Sequence, residues 1–290
     1  MIIGIDLGGT KIAAALANDR GKIKTDVNIP TEAGKGQRAV IDNVIKAVAA
    51  LMSSSKKKVH CLGIGVPGPI LYETGIVIEP PNLPGWKKVN LKKILEKRFR
   101  LPVQLDNDAN CAALAEAKFG AGRDAKDFIY VTVSTGIGGG IIIDRKLYRG
   151  AIGAAGEFGH MIIDPHGPIC GCGNYGCFEA LASGTAIKKR AGLDAISVEL
   201  AARQGDEKAL RVIRETAHYL AIGFANLVNV FNPELIVVGG GVSKMRELLF
   251  TPIREEFKKY ALTLPAKNVK IVRAKLGDEV GVLGAIALCL

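Results

Sequence analysis

Residues 2–17 read IIGIDLGGTKIAAALA, and the rest of the chain is arranged around what they form. The apolar run over residues 2–6 predicts a buried strand, and Gly8, Gly9 and Thr10 turn the chain into a second strand over Lys11–Ala17. The turn lacks the spacing of a P-loop, and no helix follows it as in a dinucleotide-binding motif. The stretch therefore predicts a β-hairpin.

The turn of this hairpin carries groups suited to a phosphate. Backbone amides in a glycine turn can face phosphate oxygens, and Thr10 adds a hydroxyl while Lys11 adds a positive charge. Asp6, at the end of the first strand, could hold a hydrated magnesium ion. A plain hairpin explains the same residues equally well, so both interpretations stay open for this motif alone.

The same order of strand, Gly and Thr turn, and strand returns over residues 128–143. Its predicted turn, residues 135–140, contains Thr135, Gly136 and Gly138. Two such hairpins facing each other can hold one polyphosphate between domains. A third glycine turn, with Gly240 and Gly241, follows a predicted strand over residues 234–238 and suits a nucleoside.

Apolar periodicity predicts alternating helices and strands through the remaining chain. Predicted helices cover residues 36–52, 87–100, 111–119, 197–204, 206–230, a segment ending at 260, and 280–288; predicted strands cover 59–66, 103–105 and 269–273. The chain is therefore of the α/β class, and its 290 residues suit two domains or one large one.

Polar side chains collect where strand 103–105 meets helix 111–119. Asp106, Asn107, Asp108 and Asn110 stand within five positions, whereas one such residue is enough to cap a helix. The surplus predicts a functional site. Asn82 lies in the proline-rich loop 80–86 and could line a polar pocket, although turn chemistry alone accounts for the loop.

Residues 157–179 gather three of the six cysteines and two of the four histidines. Cys170, Cys172 and Cys177 form a C-x-C-x4-C pattern, a donor set that favours zinc. The fourth ligand can be His160 or His166, and spacing does not choose between them. A disulfide or three unrelated buried thiols are the alternatives.

The compartment bears on that choice. Cys61, Cys111 and Cys289 are scattered through apolar surroundings, and no secretory signal precedes the first strand. We therefore expect a cytoplasmic protein, in whose reducing surroundings a structural zinc fits better than a disulfide.

Composition excludes some partners and favours others. With 48% hydrophobic residues and no run approaching the roughly 20 apolar residues of a bilayer span, we expect no membrane insertion. Lys and Arg outnumber Asp and Glu by 39 to 28, and this net charge of +11 favours anions such as nucleotides, polyphosphate or nucleic acid. We interpret the basic runs 56–58 and 87–100 as solvated faces.

Together these motifs resemble the ROK family of repressors and sugar kinases, and within it the glucokinases, over essentially the whole chain. The resemblance rests on IGIDLGGTK, LDNDANCAALAE, STGIGGG, GEFGH with CGCGNYGCFEALASG, and VVGGGVS. It implies an actin- and hexokinase-like fold of two α/β domains with an interdomain cleft and a structural zinc site. The smaller domain would contain residues 1–107 and 278–290, and the larger residues 108–277.

The resemblance also implies roles for single residues. Asp108 would be the general base, and the sugar would be bound by Asn82, Asn107, Asp108, Glu157, His160 and Glu179. ATP would be received by Asp6, Gly8, Gly9, Thr10, Lys11, Thr135, Gly136, Gly138, Gly240 and Gly241, with Asp6 serving Mg²⁺. Zn²⁺ would be held by His160, Cys170, Cys172 and Cys177.

The implied activity is ATP-dependent phosphorylation of a hexose, with glucose favoured, in a homodimer or homotetramer. The first strand begins at Ile2, so we expect neither the N-terminal DNA-binding extension of ROK repressors nor a nucleic-acid partner. The alternatives are a kinase for N-acetylhexosamine, mannose, fructose or allose, a polyphosphate donor, or a non-catalytic sugar-sensing regulator.

Overall fold

The computed structural model describes residues 1–290, which form two compact units. The first unit comprises Met1–Gly120, Leu147–Ala155 and Asp278–Leu290, and the second comprises Ala121–Lys146 and Gly156–Gly277. The predicted domain boundary between residues 107 and 108 lies inside the first unit, at the junction of a strand and a helix. Each unit combines a sheet with helices, so the predicted α/β class is confirmed.

The bounds of the regular elements follow the chain. The strands are β1 (Ile2–Leu7), β2 (Lys11–Ala17), β3 (Ile23–Pro30), β4 (Cys61–Val66), β5 (Ile70–Leu71), β6 (Ile76–Val77), β7 (Val89–Asn90), β8 (Val103–Asn107), β9 (Phe128–Val133), β10 (Ile137–Ile143), β11 (Lys146–Tyr148), β12 (Leu235–Gly239) and β13 (Lys270–Arg273). The helices are α1 (Gln37–Ser54), α2 (Leu91–Phe99), α3 (Asp108–Phe119), α4 (Phe178–Ala182), α5 (Gly184–Ala191), α6 (Ala195–Arg203), α7 (Glu207–Phe231), α8 (Glu247–Tyr260), α9 (Thr263–Asn268) and α10 (Val280–Ala287).

The main sheet of the first unit has the order β3-β2-β1-β4-β8. Strands β1, β2 and β3 pair antiparallel, whereas β4 pairs parallel with both β1 and β8. Successive side chains of a strand point to opposite faces. Ile3, Ile5 and Leu7 accordingly join the apolar core beneath α1, with Val40 and Val44 among its members.

The opposite face of this sheet carries glycines and acids. A methyl group added at Gly4 would meet the backbone and Ile286 of α10, and one at Gly63 would overlap the backbone oxygen of Ala285. The two glycines therefore let α10 lie directly on β1 and β4. The same face carries Asp6 on β1 and Asp106 on β8, which the parallel register aligns across Gly65.

The sheet of the second unit has the order β11-β10-β9-β12-β13. Strands β9 and β10 form an antiparallel hairpin, and β12 pairs parallel with β9 and β13. The 25-residue helix α7 packs against α4, α5, α6 and α8. No helix of the protein is both long and apolar enough to span a bilayer.

Three details differ from the sequence predictions. The helix predicted over 87–100 begins at Leu91, because the Asn90 side chain caps it by accepting from Lys93 N, and Val89–Asn90 instead pairs with β6. The predicted turn 135–140 is shorter, since β10 begins at Ile137. Cys61 and Cys289, expected as separate thiols, form a disulfide across 228 residues of sequence.

Candidate active site

The β1–β2 turn of the first unit places the predicted Gly8–Lys11 segment against Asn82. Gly8 N donates to Lys11 O at 3.0 Å, which closes the turn. A methyl group added at Gly9 would stand 2.8 Å from Asn82 Cβ, so only glycine permits this approach. Thr10 and Lys11 are exposed, which leaves their side chains accessible to a ligand.

Asp6 lies at the end of β1 beneath this turn. Burial raises the pKa of its carboxyl, and the Lys11 ammonium partly opposes that rise. A carboxylate kept from water is stabilised by a cation nearby. The acid predicted to serve magnesium is therefore largely buried, with the Lys11 ammonium nearby.

The polar segment that follows β8 is held by its own hydrogen bonds. Asn107 caps α3, because its Oδ1 accepts from Ala109 N at 2.8 Å, and its Nδ2 donates to Gly68 O at 3.2 Å. Asp108 Oδ1 also accepts from Ala109 N at 2.8 Å. The carboxylate predicted to be the base thus lies in the first turn of α3.

The β9–β10 turn of the second unit is braced by Glu179 and the start of α5. Ile137 N donates to Glu179 Oε2 at 2.9 Å, and Gly184 N donates to Ser134 O at 2.7 Å. Gly136 leaves room for the Glu179 carboxylate, which a methyl group at this position would displace. Gly138 lies within β10, paired with Thr132, and does not belong to the turn as predicted.

A cavity of about 810 Å³ lies beside this turn, wholly within the second unit. Thr135 and Gly241, both predicted for the nucleotide, line it, whereas Gly136, Gly138 and Gly240 do not. Its wall also contains residues that the sequence analysis did not single out: Ser134, Gly184, Thr185, Lys188, Asp194, Ala195, Ile196, Glu199, Val242, Lys244 and Met245. The one available signal for them was Ser183 with Gly184 and Thr185, a helix start that follows the cysteine stretch.

The cysteine stretch forms a compact donor cluster. His160, Cys170, Cys172 and Cys177 place their ligand atoms within 4.8 Å of one another, whereas His166 takes no part. Cys170 Sγ is 3.8 Å from His160 Nδ1, and Cys172 Sγ is 3.6 Å from Cys177 Sγ. Tetrahedral zinc with bonds of about 2.0–2.3 Å places its ligands about 3.3–3.8 Å apart. The donor set therefore fits a zinc ion in both chemistry and size.

The thiols of the cluster differ in acidity. A hydrogen bond from the Asn174 backbone, together with the neighbouring thiols, lowers the pKa of Cys172 to about 7. Burial and the neighbouring thiols raise the pKa of Cys177 to about 12. A metal would therefore meet one thiol ready to ionise and another whose proton only a cation would displace.

The predicted sugar ligands of the second unit surround this cluster. His160 turns Nδ1 to the thiols and has Nε2 4.0 Å from Glu157 Oε2. Both side chains are exposed, whereas Glu179 is half-buried and has its Oε1 3.9 Å from Cys170 Sγ. One ring nitrogen of His160 thus faces the cysteine thiols, and the other lies on the outer side of the ring, near the Glu157 carboxylate.

Comparison with known proteins agrees with these motifs. The sequence profile of the ROK family matches residues 2–290. The chain belongs to the ROK family. A glucokinase of Thermotoga maritima is 38% identical over 99% of this chain and 96% of its own length. An N-acetylmannosamine kinase of Shigella boydii is also 38% identical, over 99% of this chain and 97% of its own.

The ROK members similar to this chain include both kinases and repressors. A solved ROK glucokinase of Streptomyces griseus, in complex with glucose and AMPPNP, has a TM-score of 0.84 and 37% identity, with 99% of this chain and 98% of that chain covered. A xylose repressor of Caldicellulosiruptor bescii is 38% identical over all of this chain and 78% of its own length. The resemblance found in the sequence motifs is thus confirmed at the level of the family and its sugar-kinase fold.

Proposed function

We propose that this protein is an ATP-dependent hexose kinase that converts glucose to glucose 6-phosphate, with Asp108 as the general base. The observation that carries the proposal is the placement of Asp108 in the first turn of α3, in a segment fixed by hydrogen bonds that Ala109 N donates to Asn107 Oδ1 and Asp108 Oδ1. The glucokinases among its relatives and the glucose complex of the S. griseus enzyme support glucose as the acceptor.

In this proposal Asp108 accepts the proton of the sugar 6-hydroxyl while that oxygen attacks the terminal phosphate of ATP. A base acts only within hydrogen-bond reach of the proton that it removes. The side chains that bind the other sugar hydroxyls must therefore place the 6-hydroxyl beside Asp108. Asn82 and Asn107 would hold hydroxyls from the first unit, and Glu157, His160 and Glu179 would hold others from the second. Phosphoryl transfer otherwise depends on positioning and charge stabilisation.

The nucleotide is proposed to use both glycine turns. The 810 Å³ cavity beside Thr135 and Gly241 is large enough for a nucleoside and lies within the usual range of ligand pockets. Gly8, Gly9, Thr10 and Lys11 would face the phosphates, and Gly136 in the β9–β10 turn, Gly138 in β10 and Gly240 after β12 would also contact the nucleotide. Asp6 would hold the Mg²⁺, which neutralises charge on the transferred phosphate when bound.

Zinc is proposed to be structural. His160, Cys170, Cys172 and Cys177 would hold it, and the bound ion would fix the tautomer of His160. If Nδ1 bound the metal, Nε2 would carry the proton and could donate to a sugar hydroxyl, beside the carboxylate of Glu157.

A panel of acceptors and donors tests the proposal. Glucose, mannose, fructose, allose and N-acetylmannosamine are each assayed with ATP and with polyphosphate, and the phosphorylated product is identified by mass spectrometry. We expect glucose with ATP to give the highest kcat/KM. The N-acetylmannosamine kinase relative makes that sugar the second candidate, and a higher kcat/KM for it would replace glucose. No turnover with any pair would indicate a regulator.

A further inference from the structure

Arg149 lies outside every motif discussed so far, yet its side chain reaches the buried carboxylate next to the proposed base. Arg149 Nε is 2.7 Å from Asp106 Oδ2, and the Asp106 side chain is 1% exposed. The guanidinium also lies over the Tyr72 ring, with its carbon 4.0 Å from the ring centroid. All three residues belong to the first unit.

Asp106 in turn accepts hydrogen bonds from residues on both sides of Asp108. Its Oδ1 accepts from Asn107 N at 2.8 Å and from Asn110 Nδ2 at 2.8 Å. Asn110 is itself buried, and its Oδ1 has no hydrogen-bond partner, so its amide is oriented by Asp106. Asp108 therefore stands between two residues that one carboxylate fixes.

A buried carboxylate needs a cation, and the surroundings of Asp106 supply one. The charged or titratable groups near Cys111, which packs against Asp106, are Asp6 on β1, Asp106 on β8, Asp108 on α3 and Arg149. Three of these are acids. Arg149 is the cation among these four groups, and it forms its ion pair with Asp106, whereas the Lys11 ammonium acts on Asp6.

We propose that Arg149 is a positioning residue for the proposed kinase reaction: it orients and neutralises Asp106, so that Asp106 holds Asn107 and Asn110 around Asp108. This rests on the proposed function of Asp108. The segment that carries Arg149 is short, and Ala155 N closes it by donating to Arg149 O at 3.1 Å.

Charge and geometry can be separated by three variants. Arg149→Leu leaves Asp106 as an uncompensated anion near Asp108, and like charges disfavour ionisation. We expect kcat to fall about a hundredfold, as misplaced catalytic groups cause. In the plot of kcat against pH, the acid limb should move to higher pH by about 1 unit or more, because the pKa of Asp108 would rise. Arg149→Lys keeps the charge but loses the planar fork, so kcat should fall while the limb stays in place.

The third variant removes both partners. In Asp106→Asn with Arg149→Leu no buried charge is left unpaired, so the acid limb should return to its wild-type position while kcat stays low. Arg123→Leu is the matched control, because Arg123 pairs with exposed Asp124 at 3.5 Å and should change neither quantity. If Arg149→Leu is too unstable to purify, the double variant and Arg149→Lys still separate the two effects.

NMR titration of protein labelled with ¹³C at the aspartate carboxyls measures the pKa shift of Asp108 without turnover. An Arg149→Leu protein whose Asp108 titrates as in the wild type, or whose kcat and acid limb are unchanged, would overturn the proposal. A loss of thermal stability alone would also do so, since it indicates a merely structural ion pair. If the wild-type protein phosphorylates no sugar, the proposed function fails, while the NMR titration still decides whether Arg149 sets the state of Asp108.

Discussion

The base segment around Asp108 and the cysteine loop around His160 are built in opposite ways. The first spans the end of β8 and the start of α3, where backbone amides and Asp106 satisfy its polar groups. The second has no helix or paired strand between residues 161 and 177, only the isolated bridges Ile162↔Cys177 and Ile169↔Tyr175. Ile162, Ile169 and Tyr175 are more than half exposed, so little apolar burial holds this loop.

The difference indicates what each region depends on. The base segment is ordered by the fold, because its contacts are those of the surrounding strand and helix. The cysteine loop buries few large apolar side chains, and segments with few buried apolar contacts open at low free energy. A bound metal would supply the missing stabilisation, since binding energy at a structural metal is folding energy.

The largest effect is expected at the segment that the fold orders. Asp108→Asn keeps the Oδ1 acceptor for Ala109 N, so the helix start and sugar binding should survive. The variant cannot accept the hydroxyl proton, and kcat should fall by about 10²- to 10⁴-fold. Steady-state kinetics and glucose titration by calorimetry check this. A near-normal kcat would mean that Asp108 is not the base.

The next effect concerns a covalent link in the same unit. The disulfide Cys61–Cys289 joins β4 to the residues after α10, and its loss should cost about 2–4 kcal/mol of stability. A reductant should lower the Tm of the wild type and leave that of Cys61→Ala with Cys289→Ala unchanged. Glucose KM should stay the same in both. Free thiols at both positions in the unreduced, purified protein would contradict the prediction.

A smaller loss, confined to sugar binding, is expected when the cysteine loop loses its metal. Cys172→Ser should remove zinc and weaken glucose binding about 10- to 100-fold, the usual cost of disturbing the support of such a ligand. Affinity for a non-hydrolysable ATP analogue should change much less. His166→Ala is the control, because His166 lies outside the donor cluster. Normal glucose binding by a zinc-free variant, or a wild type without zinc, would disprove the orienting role.

The smallest expected effect is a difference in reactivity between two thiols of the cysteine loop, Cys172 and Cys177. With zinc removed by a chelator, exposed Cys172 should react with iodoacetamide at a rate that is half-maximal near pH 7, its lowered pKa, and levels off at higher pH. Buried Cys177, whose pKa is raised to about 12, should stay unmodified. Peptide mass mapping at several pH values measures both. Equal labelling of the two thiols, or no protection by added zinc, would contradict this.

Local patterns predicted most of the fold. The β1–β2 hairpin and the helices α1, α3 and α7 follow from apolar periodicity with glycine and proline punctuation, because these signals are contained in short windows. Short pieces such as β5, β6 and α9 were missed, since elements of two to six residues are too short to show a hydrophobic period.

The candidate site divides in the same way. The cysteine spacing suggested the metal ligands, but only the folded chain distinguishes His160 from His166. Arg149 carried no motif signal, because its importance comes from Asp106, 43 residues earlier in the chain. The pairing of Cys61 with Cys289 was equally invisible, as two isolated cysteines give no indication of each other.

The packing of α10 directly on Gly4 and Gly63 has a consequence for folding during protein synthesis. The ribosome makes β1 well before Val280–Ala287, the helix that covers this face of the sheet. All of Gly156–Gly277 is made between them, so the second unit can fold before the first unit is complete. Strands β1 and β4 must wait with one face uncovered until α10 has emerged.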